Sequence, residues 1–418
     1  ICNHICNHIC NHICNHISVT TNHTVSHDGS PANVRSQVGM DQPLIVPEGT
    51  AYVFNSCGGQ VDGLERNDNC GSSDSLFIPA SVKNISELAF AFCFNINTIT
   101  FEEDSELSFI GPRAFERTGV EAIHFPAKLE SLGANAFEQC DALTSVTFAE
   151  DSALQTLGYK AFADCGNLTS FEFVEGLKSI GEQVFRMECS NSTCLPPGSP
   201  GRRDASPGGL TAAALPASLV SIGVEAFKNC EDLKNVTFAA GSNLESIGQE
   251  AFEYCVTLGP TVDLPGKLTS IGDQAFKDCE ALETVTFAEC GFCGGSGESE
   301  ETKAAICDRD CGCCSTGPNC AEVPTPLSRS TVCPARSNLT SIGDEAFQNC
   351  VTLGPTVWFP ASLTSIGERA FQDCVDLTNI AFDGLACYPV VPGLTIGNDA
   401  FDGSGVQGEL LPFECYDD

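Results

Sequence analysis

One phrase recurs along most of the chain, and this recurrence limits what the chain can fold into more than any other sequence feature. Segments 129–148 and 268–287 carry equivalent residues at every apolar position of the pattern Leu-x-x-Ile-Gly-x-x-Ala-Phe-x-x-Cys-x-x-Leu-x-x-Val-x-Phe. Where no insertion intervenes, consecutive units are 22 to 25 residues apart, a period typical of solenoids in which each unit contacts only its neighbours. The central aromatic residue marks eleven units, at Phe90, Phe115, Phe137, Phe162, Phe185, Phe227, Phe252, Phe276, Phe347, Phe371 and Phe401.

Each unit combines two local patterns. Residues such as Val285 and Phe287 alternate with polar ones, which predicts a short strand with one buried face. The stretch from Ile to the next Leu spaces its apolar residues at three, which predicts a helical or 3₁₀ turn, and the glycine after Ile is expected to let the chain turn sharply. The predicted fold is therefore an α/β repeat solenoid of about 11 units, with short strands, helical or 3₁₀ turns and disulfide-rich insertions.

The repeated phrase resembles the BspA-type leucine-rich repeat family over residues 76 to 406, apart from two insertions. The resemblance implies a right-handed leucine-rich-repeat stack, found largely on cell surfaces and associated with adhesion and with binding to matrix or to other cells. Three units depart from the phrase at the cysteine position, where Thr118, Glu188 and Ser404 stand instead.

The position of the repeats divides the chain into segments. We expect a Cys/His low-complexity tail at 1–27, an N-terminal cap at 28–75, a first solenoid part at 76–287 with an insertion at 189–214, a Cys-rich insertion at 288–336, a second solenoid part at 337–406 and a C-terminal tail or cap at 407–418.

Of the 26 cysteines, 22 lie beyond the first 27 residues and fall into two groups. Eight occupy the repeat position and are expected to be small buried hydrophobic residues: Cys93, Cys140, Cys165, Cys230, Cys255, Cys279, Cys350 and Cys374. Fourteen others, in or beside the insertions and caps, are candidates for disulfides: Cys57, Cys70, Cys189, Cys194, Cys290, Cys293, Cys307, Cys311, Cys313, Cys314, Cys320, Cys333, Cys387 and Cys415.

The insertion at 288–336 contains almost no large apolar residues, so its order is expected to come from disulfides. Zinc binding by Cys290-x-x-Cys293 with Cys311-x-Cys313 is the alternative. Insertions of a solenoid emerge on one face, often the one that binds, so we expect this segment to contact a partner.

The chain begins with four copies of Ile-Cys-Asn-His. A four-residue period brings the cysteines and histidines close together on a helix or on a strand, where they could hold a soft metal such as Zn²⁺ or Cu(I). The alternative is a low-complexity tail that arose by tandem duplication and pairs with neighbouring chains. The candidate ligands are Cys2, His4, Cys6, His8, Cys10, His12, Cys14 and His16.

Charge and cysteine content indicate the surroundings in which the protein works. The formal net charge of −35 makes nucleic acid an unfavourable partner, leaving proteins, glycans and cations such as Ca²⁺; no other cofactor is expected. No stretch is apolar enough to span a membrane, and the start at Ile1, without an apolar signal core, suggests a mature form or a fragment. Abundant cysteine with six glycosylation sequons predicts an extracellular or cell-surface protein; these sequons are Asn22, Asn84, Asn167, Asn191, Asn235 and Asn338.

The alternation in the strands also predicts which side chains point outward. Trp358, the only tryptophan, and His124, the only histidine within the repeats, occupy outward positions and are the candidate binding residues. The sequence contains no Gly-x-Ser-x-Gly elbow, His-Glu-x-x-His or Walker loop, so no enzyme is expected. The leading hypothesis is an extracellular structural or adhesive protein that self-associates into a fibre, sheath or matrix through its ends and Cys-rich insertion. The alternative is a soluble or receptor-like module that binds a protein or glycan.

Overall fold

A computed structural model describes residues 44–46, 52–53, 73–188, 208–287, 337–382 and 393–406. These ranges contain strands and turns but no helix. The strands are β1 (Leu44–Ile45), β2 (Tyr52–Val53), β3 (Ser75–Ile78), β4 (Asn84–Ile85), β5 (Thr98–Phe101), β6 (Phe109–Ile110), β7 (Ala122–Phe125), β8 (Ser131–Leu132), β9 (Ser145–Phe148), β10 (Thr156–Leu157), β11 (Ser170–Phe171), β12 (Ser179–Ile180), β13 (Ala212–Leu215), β14 (Ser221–Ile222), β15 (Asn235–Phe238), β16 (Ser246–Ile247), β17 (Thr261–Leu264), β18 (Ser270–Ile271), β19 (Thr284–Phe287), β20 (Ser341–Ile342), β21 (Thr356–Phe359), β22 (Ser365–Ile366), β23 (Asn379–Phe382) and β24 (Thr395–Ile396).

The strands wind into a right-handed parallel β-solenoid whose coils each contribute one odd-numbered and one even-numbered strand. The even-numbered strands form one unbroken sheet of twelve two-residue strands, called the second sheet here. The odd-numbered strands, most of them four residues long, form the first sheet, in which hydrogen bonding runs from β1 to β11 and then continues in three separate pairs. β17 and β21 each follow a Gly-Pro sequence, and proline has no amide N–H to donate at that point of the ladder.

Equivalent residues stack on one another along the solenoid. In the second sheet Ser270 and Ile271 of β18 pair with Ser341 and Ile342 of β20, although an insertion separates them in sequence. Phe276 stacks on Phe347 with ring centroids 5.2 Å apart and planes within 5°. The same parallel stack continues through all eleven repeat phenylalanines, from Phe90 to Phe401. The repeat phenylalanines that mark the eleven units therefore form a ladder through the core.

The segment around each repeat phenylalanine forms turns, and the predicted helical or 3₁₀ conformation is wrong for the described residues. Gln274 and Asp278, two residues on either side of Phe276, have φ values of 57° and 60°, which no right-handed helix contains. The amides of Gln274, Phe276 and Asp278 therefore point along the solenoid axis and donate to Asp344, Ala346 and Gln348 of the next coil. Consecutive β-turns share the three-residue apolar spacing of a 3₁₀ helix, so the pattern could not distinguish them.

The glycine after Ile serves a different purpose from the predicted one. Gly272 does not adopt a positive φ; instead, a Cβ atom at this position would lie 2.5 Å from the backbone nitrogen of Gln249 in the preceding coil. Only a residue without a side chain allows the two backbones to come this close. The glycine is therefore a stacking requirement of the solenoid.

The repeat cysteines are buried, as predicted, and seven of the eight are free thiols. Each of these seven thiols donates to the carbonyl oxygen of the repeat phenylalanine in the preceding coil, as Cys350 does to Phe276 at 3.1 Å. Cys93 departs from the prediction because it is disulfide-bonded. The thiol ladder thus satisfies a row of buried carbonyl groups as well as filling the core.

Replacement of one stacked ring tests the repeat register. Phe276→Ala should lower the free energy of unfolding by about 3 to 5 kcal/mol, because it leaves a cavity between two parallel rings. Phe94→Ala, which removes a ring that is 52% exposed, is the control and should cost less than about 1 kcal/mol. Urea denaturation followed by circular dichroism measures both; equal losses would mean that the register is wrong.

The thiol ladder makes a second prediction. Burial raises the pKa of Cys374 to about 12 and the pKa values of Cys255, Cys279 and Cys350 well above their usual range. Since the thiolate is the reactive form, iodoacetamide should leave all of these residues unmodified in the native protein and should modify them after denaturation. Peptide mass mapping of both samples checks this, and native-state modification of Cys279 would contradict the described packing.

Candidate functional site

From β5 onward, the outward side of the first sheet presents one side chain per coil, at the third strand position or, for β11, directly after the strand. Most of these side chains are exposed, and Thr286 and Ala381 are half-buried. Behind these residues, the second and fourth positions of most strands are buried, as in β17, β19 and β21. The row comprises Thr100, His124, Thr147, Glu172, Ala214, Thr237, Asp263, Thr286, Trp358 and Ala381. The period-two prediction of outward positions is confirmed for this row.

Trp358 is the one large aromatic residue that the described part of this row exposes. Its side chain is 54% accessible, although the adjacent Val357 and Phe359 are almost completely buried. Phe359 packs edge to face against Phe371, with ring centroids 5.5 Å apart. A firmly packed strand therefore holds an indole ring in solvent. A partner that covered this ring would remove a large apolar area from water with little loss of side-chain conformational entropy.

Short side chains surround Trp358 along the solenoid axis. Trp358 pairs with Ala381 on one side. On the other side lies β19, whose Phe287 packs on Phe359 with ring centroids 6.0 Å apart, so Thr286 and Trp358 occupy equivalent positions on adjacent coils. The hydroxyl of Thr286 donates to Oδ1 of Asp263 at 2.6 Å, one coil further away. The Trp358 row, defined as Asp263, Thr286, Trp358 and Ala381, thus combines an aromatic surface with a fixed carboxylate and hydroxyl pair.

His124 lies on the same side but far from Trp358. Its Nδ1 is 2.9 Å from the Oγ1 of Thr147 in the next coil. β7 and β21 are seven coils apart in the solenoid, which at about 4.8 Å per coil is about 34 Å. The structure therefore does not bring the two predicted binding residues into one site.

The repeated phrase also identifies the family. The sequence matches the BspA type leucine rich repeat region in six copies, over residues 67–193, 206–291 and 329–389. These ranges include more than half of the chain. The chain belongs to the BspA-type leucine-rich repeat family. No curated protein sequence matches it.

Solved structures similar to this BspA-type protein come from bacteria. A leucine-rich repeat protein from Bacteroides ovatus ATCC 8483 is 21% identical, with 80% of this chain and 77% of that chain covered and a TM-score of 0.44. The pneumococcal vaccine antigen PcpA is 19% identical, with coverage of 88% and 80% and a TM-score of 0.37. A leucine rich cell surface protein from Faecalibacterium prausnitzii A2-165 is 20% identical, with coverage of 74% and 87% and a TM-score of 0.21.

Other predicted site residues are distributed as follows in the BspA-type solenoid. The sequons Asn167, Asn235 and Asn338 are exposed, and Asn84 is half-buried in β4. Asn22 and Asn191, the eight Cys and His residues of the first 16 positions and all fourteen disulfide candidates lie outside the described residues. The described solenoid includes Phe287 and Phe382, the last residues of β19 and β23, and the insertion at 288–336 lies outside the described residues.

Many acidic side chains near the phenylalanine stack form ion pairs between coils. The residue after one repeat phenylalanine contacts the residue two before the next, as in Lys277 with Glu345 at 2.7 Å and Arg186 with Glu225 at 3.1 Å. Lys160 and Glu138 use the same positions with the charges reversed. Sequence analysis missed this pattern, although opposite charges at matching repeat positions could have shown it. These carboxylates serve the stacking of coils.

Two further findings concern the described part of the chain. It contains no group of three or more His, Cys, Asp or Glu side chains arranged to hold a metal ion. Nor does it contain a helix with the length and hydrophobicity needed to cross a bilayer.

One ion-pair cluster predicts a pH dependence. Glu253 is buried beside Lys228, with its Oε2 2.5 Å from the Lys228 Nζ. Burial, opposed by Lys228 and reinforced by nearby Glu250, raises the pKa of Glu253 from about 4.5 to about 6. The folded state therefore binds this proton more tightly than the unfolded state, and the stability from this group is present below pH 4.5 and lost as pH rises through 6.

Glu253→Gln should remove this dependence. The unfolding free energy of the variant minus that of the wild type should be about 1 to 2 kcal/mol larger at pH 7 than at pH 4.5. Urea titrations at the two pH values measure the difference, with Glu283→Gln, at an exposed position, as control. A difference that is independent of pH would show that Glu253 ionises normally.

Proposed function

We propose that this leucine-rich repeat protein is an extracellular recognition module that contacts its partner through the outward side of the first sheet, at the Trp358 row. The observation that carries the proposal is the exposure of Trp358 on a strand that is held in the core by the buried side chains of Val357 and Phe359. Tryptophan is enriched among the residues that dominate binding energy at interfaces. A side chain on a packed strand is also held in its binding geometry before the partner arrives.

The surroundings of the site support recognition at a cell surface. Exposed sequons at Asn167, Asn235 and Asn338 suit a secreted glycoprotein. The formal charge of −35 disfavours nucleic acid and anionic membranes, so a neutral or basic protein or glycan is the expected class of partner. We place the protein outside the cell, in adhesion or ligand recognition without catalysis. Assembly into a fibre remains a prediction from the sequence.

An adhesion assay tests the proposal. Beads coated with the full chain should attach to cells and matrix-coated surfaces, and Trp358→Ala should reduce attachment at least tenfold, as expected when a binding hot spot of more than about 1.4 kcal/mol is lost. Phe94→Ala is the matched control because it removes another exposed aromatic ring outside the Trp358 row. Equal attachment of wild type and Trp358→Ala would refute the proposed site, provided that both proteins give the same circular dichroism spectrum.

A further inference from the structure

The chemistry of the Trp358 row indicates which class of ligand it fits. The row presents one aromatic ring, one carboxylate and one hydroxyl group on adjacent coils. The first positions of the same four strands add Thr261, Thr284, Thr356 and Asn379. All of these side chains apart from Trp358 are short, and all apart from Trp358 and Ala381 end in polar groups. The indole ring therefore projects from a surface of short side chains, most of which can form hydrogen bonds.

We propose that the Trp358 row binds a neutral oligosaccharide, one of whose sugar rings packs on Trp358 while hydroxyl groups of another bond to Asp263 and Thr286. This inference rests on the proposed function and names the class of ligand for the same site. A pyranose ring has an apolar C–H face that suits the indole, and its hydroxyl groups both donate and accept hydrogen bonds.

The Asp263 and Thr286 pair is suited to such a ligand. Thr286 donates to Oδ1 of Asp263, which fixes the exposed carboxylate while leaving acceptor capacity on both of its oxygens. The hydroxyl oxygen of Thr286 can in turn accept from the ligand. Hydrogen bonds from neutral donors to a carboxylate are among the stronger ones available to a sugar.

The spacing of the coils sets the length of the ligand. Asp263 and Trp358 are two coils apart, and the phenylalanine rings of these coils stack at 5.2 and 5.0 Å per step. The two groups are therefore separated by about 10 Å along the axis. A single sugar ring cannot contact both, so the site requires an oligosaccharide.

The exposed apolar surface favours a sugar over a protein at this position. Protein interfaces are built around a core of several apolar or aromatic anchors that become fully buried. On the described outward side of the first sheet, the exposed large apolar residues are Ile45 and Trp358, which lie at opposite ends of the solenoid. Acidic sugars are disfavoured because Asp263 would repel them.

The single tryptophan makes this inference directly testable. Because Trp358 is the only tryptophan, fluorescence of the full chain excited at the red edge of the spectrum, where tyrosine does not absorb, reports on this ring alone. Hexasaccharides of β-linked glucose, β-linked galactose and N-acetylglucosamine are the neutral probes, and hexagalacturonate is the acidic one. We expect a saturable blue shift with at least one neutral probe and none with the acidic probe.

Variants then locate the binding. Isothermal titration calorimetry uses the neutral hexasaccharide that shifts the fluorescence. Trp358→Ala should abolish detectable binding of this sugar. Asp263→Asn should weaken the affinity about tenfold, as expected for loss of a charge-assisted hydrogen bond. Glu172→Gln, which changes another exposed carboxylate on the outward side of the first sheet, three coils from Asp263 and outside the Trp358 row, should leave the affinity unchanged.

The outcomes separate this inference from the proposed function. If no neutral probe changes the fluorescence while Trp358→Ala still reduces bead attachment, the sugar assignment is wrong and the site recognises a protein. If Trp358→Ala changes neither sugar binding nor attachment, both proposals fail. A response to hexagalacturonate as strong as that to the neutral probes would also overturn the assignment of a neutral ligand.

Discussion

Hydrogen bonding between successive coils is the interaction on which the rest of this structure depends. A coil of 22 to 25 residues is too small to bury its own apolar side chains, so its backbone groups must find partners in the coils above and below. The backbone groups of both sheets and of the turn segments around the phenylalanines bond to neighbouring coils. In the turn segments, residues with positive φ, such as Gln274 and Asp278, make these bonds possible. A positive φ costs a non-glycine residue about 1 to 2 kcal/mol, and the bonds to the next coil offset that cost.

The stacking of coils places equivalent residues on one another, and this explains the composition of the repeat. Stacked phenylalanines form parallel ring pairs, and stacked cysteines bond to the carbonyl groups of the previous coil. Stacked like charges would repel, and the ion pairs avoid this by joining different repeat positions, as in Lys277 with Glu345. The glycine at Gly272 allows the close approach that all of these contacts need.

The parts of the fold that depend on composition and period could be predicted from the sequence. The phenylalanine ladder, the outward position of Trp358 and the buried cysteines all follow from which residues recur and how far apart they are. The backbone of the turn segments could not be predicted, because the positive φ positions carry residues such as Gln274, Glu345 and Arg369 that give no local signal. The hydrogen bond between Thr286 and Asp263 could not be predicted either, because the repeat period places the two residues on neighbouring coils but does not fix their side-chain conformations.

Amide hydrogen exchange of the full chain tests most directly whether turn segments bond from coil to coil. The structure predicts that the amides of Phe227, Phe252 and Phe276, which donate to Ala251, Ala275 and Ala346, exchange as slowly as those of Ile222, Ile247 and Ile271 in the second sheet. Slow exchange of both groups, losing protection together on addition of urea, would support the ladder of coils. Fast exchange at the phenylalanines, with the second sheet still protected, would contradict it.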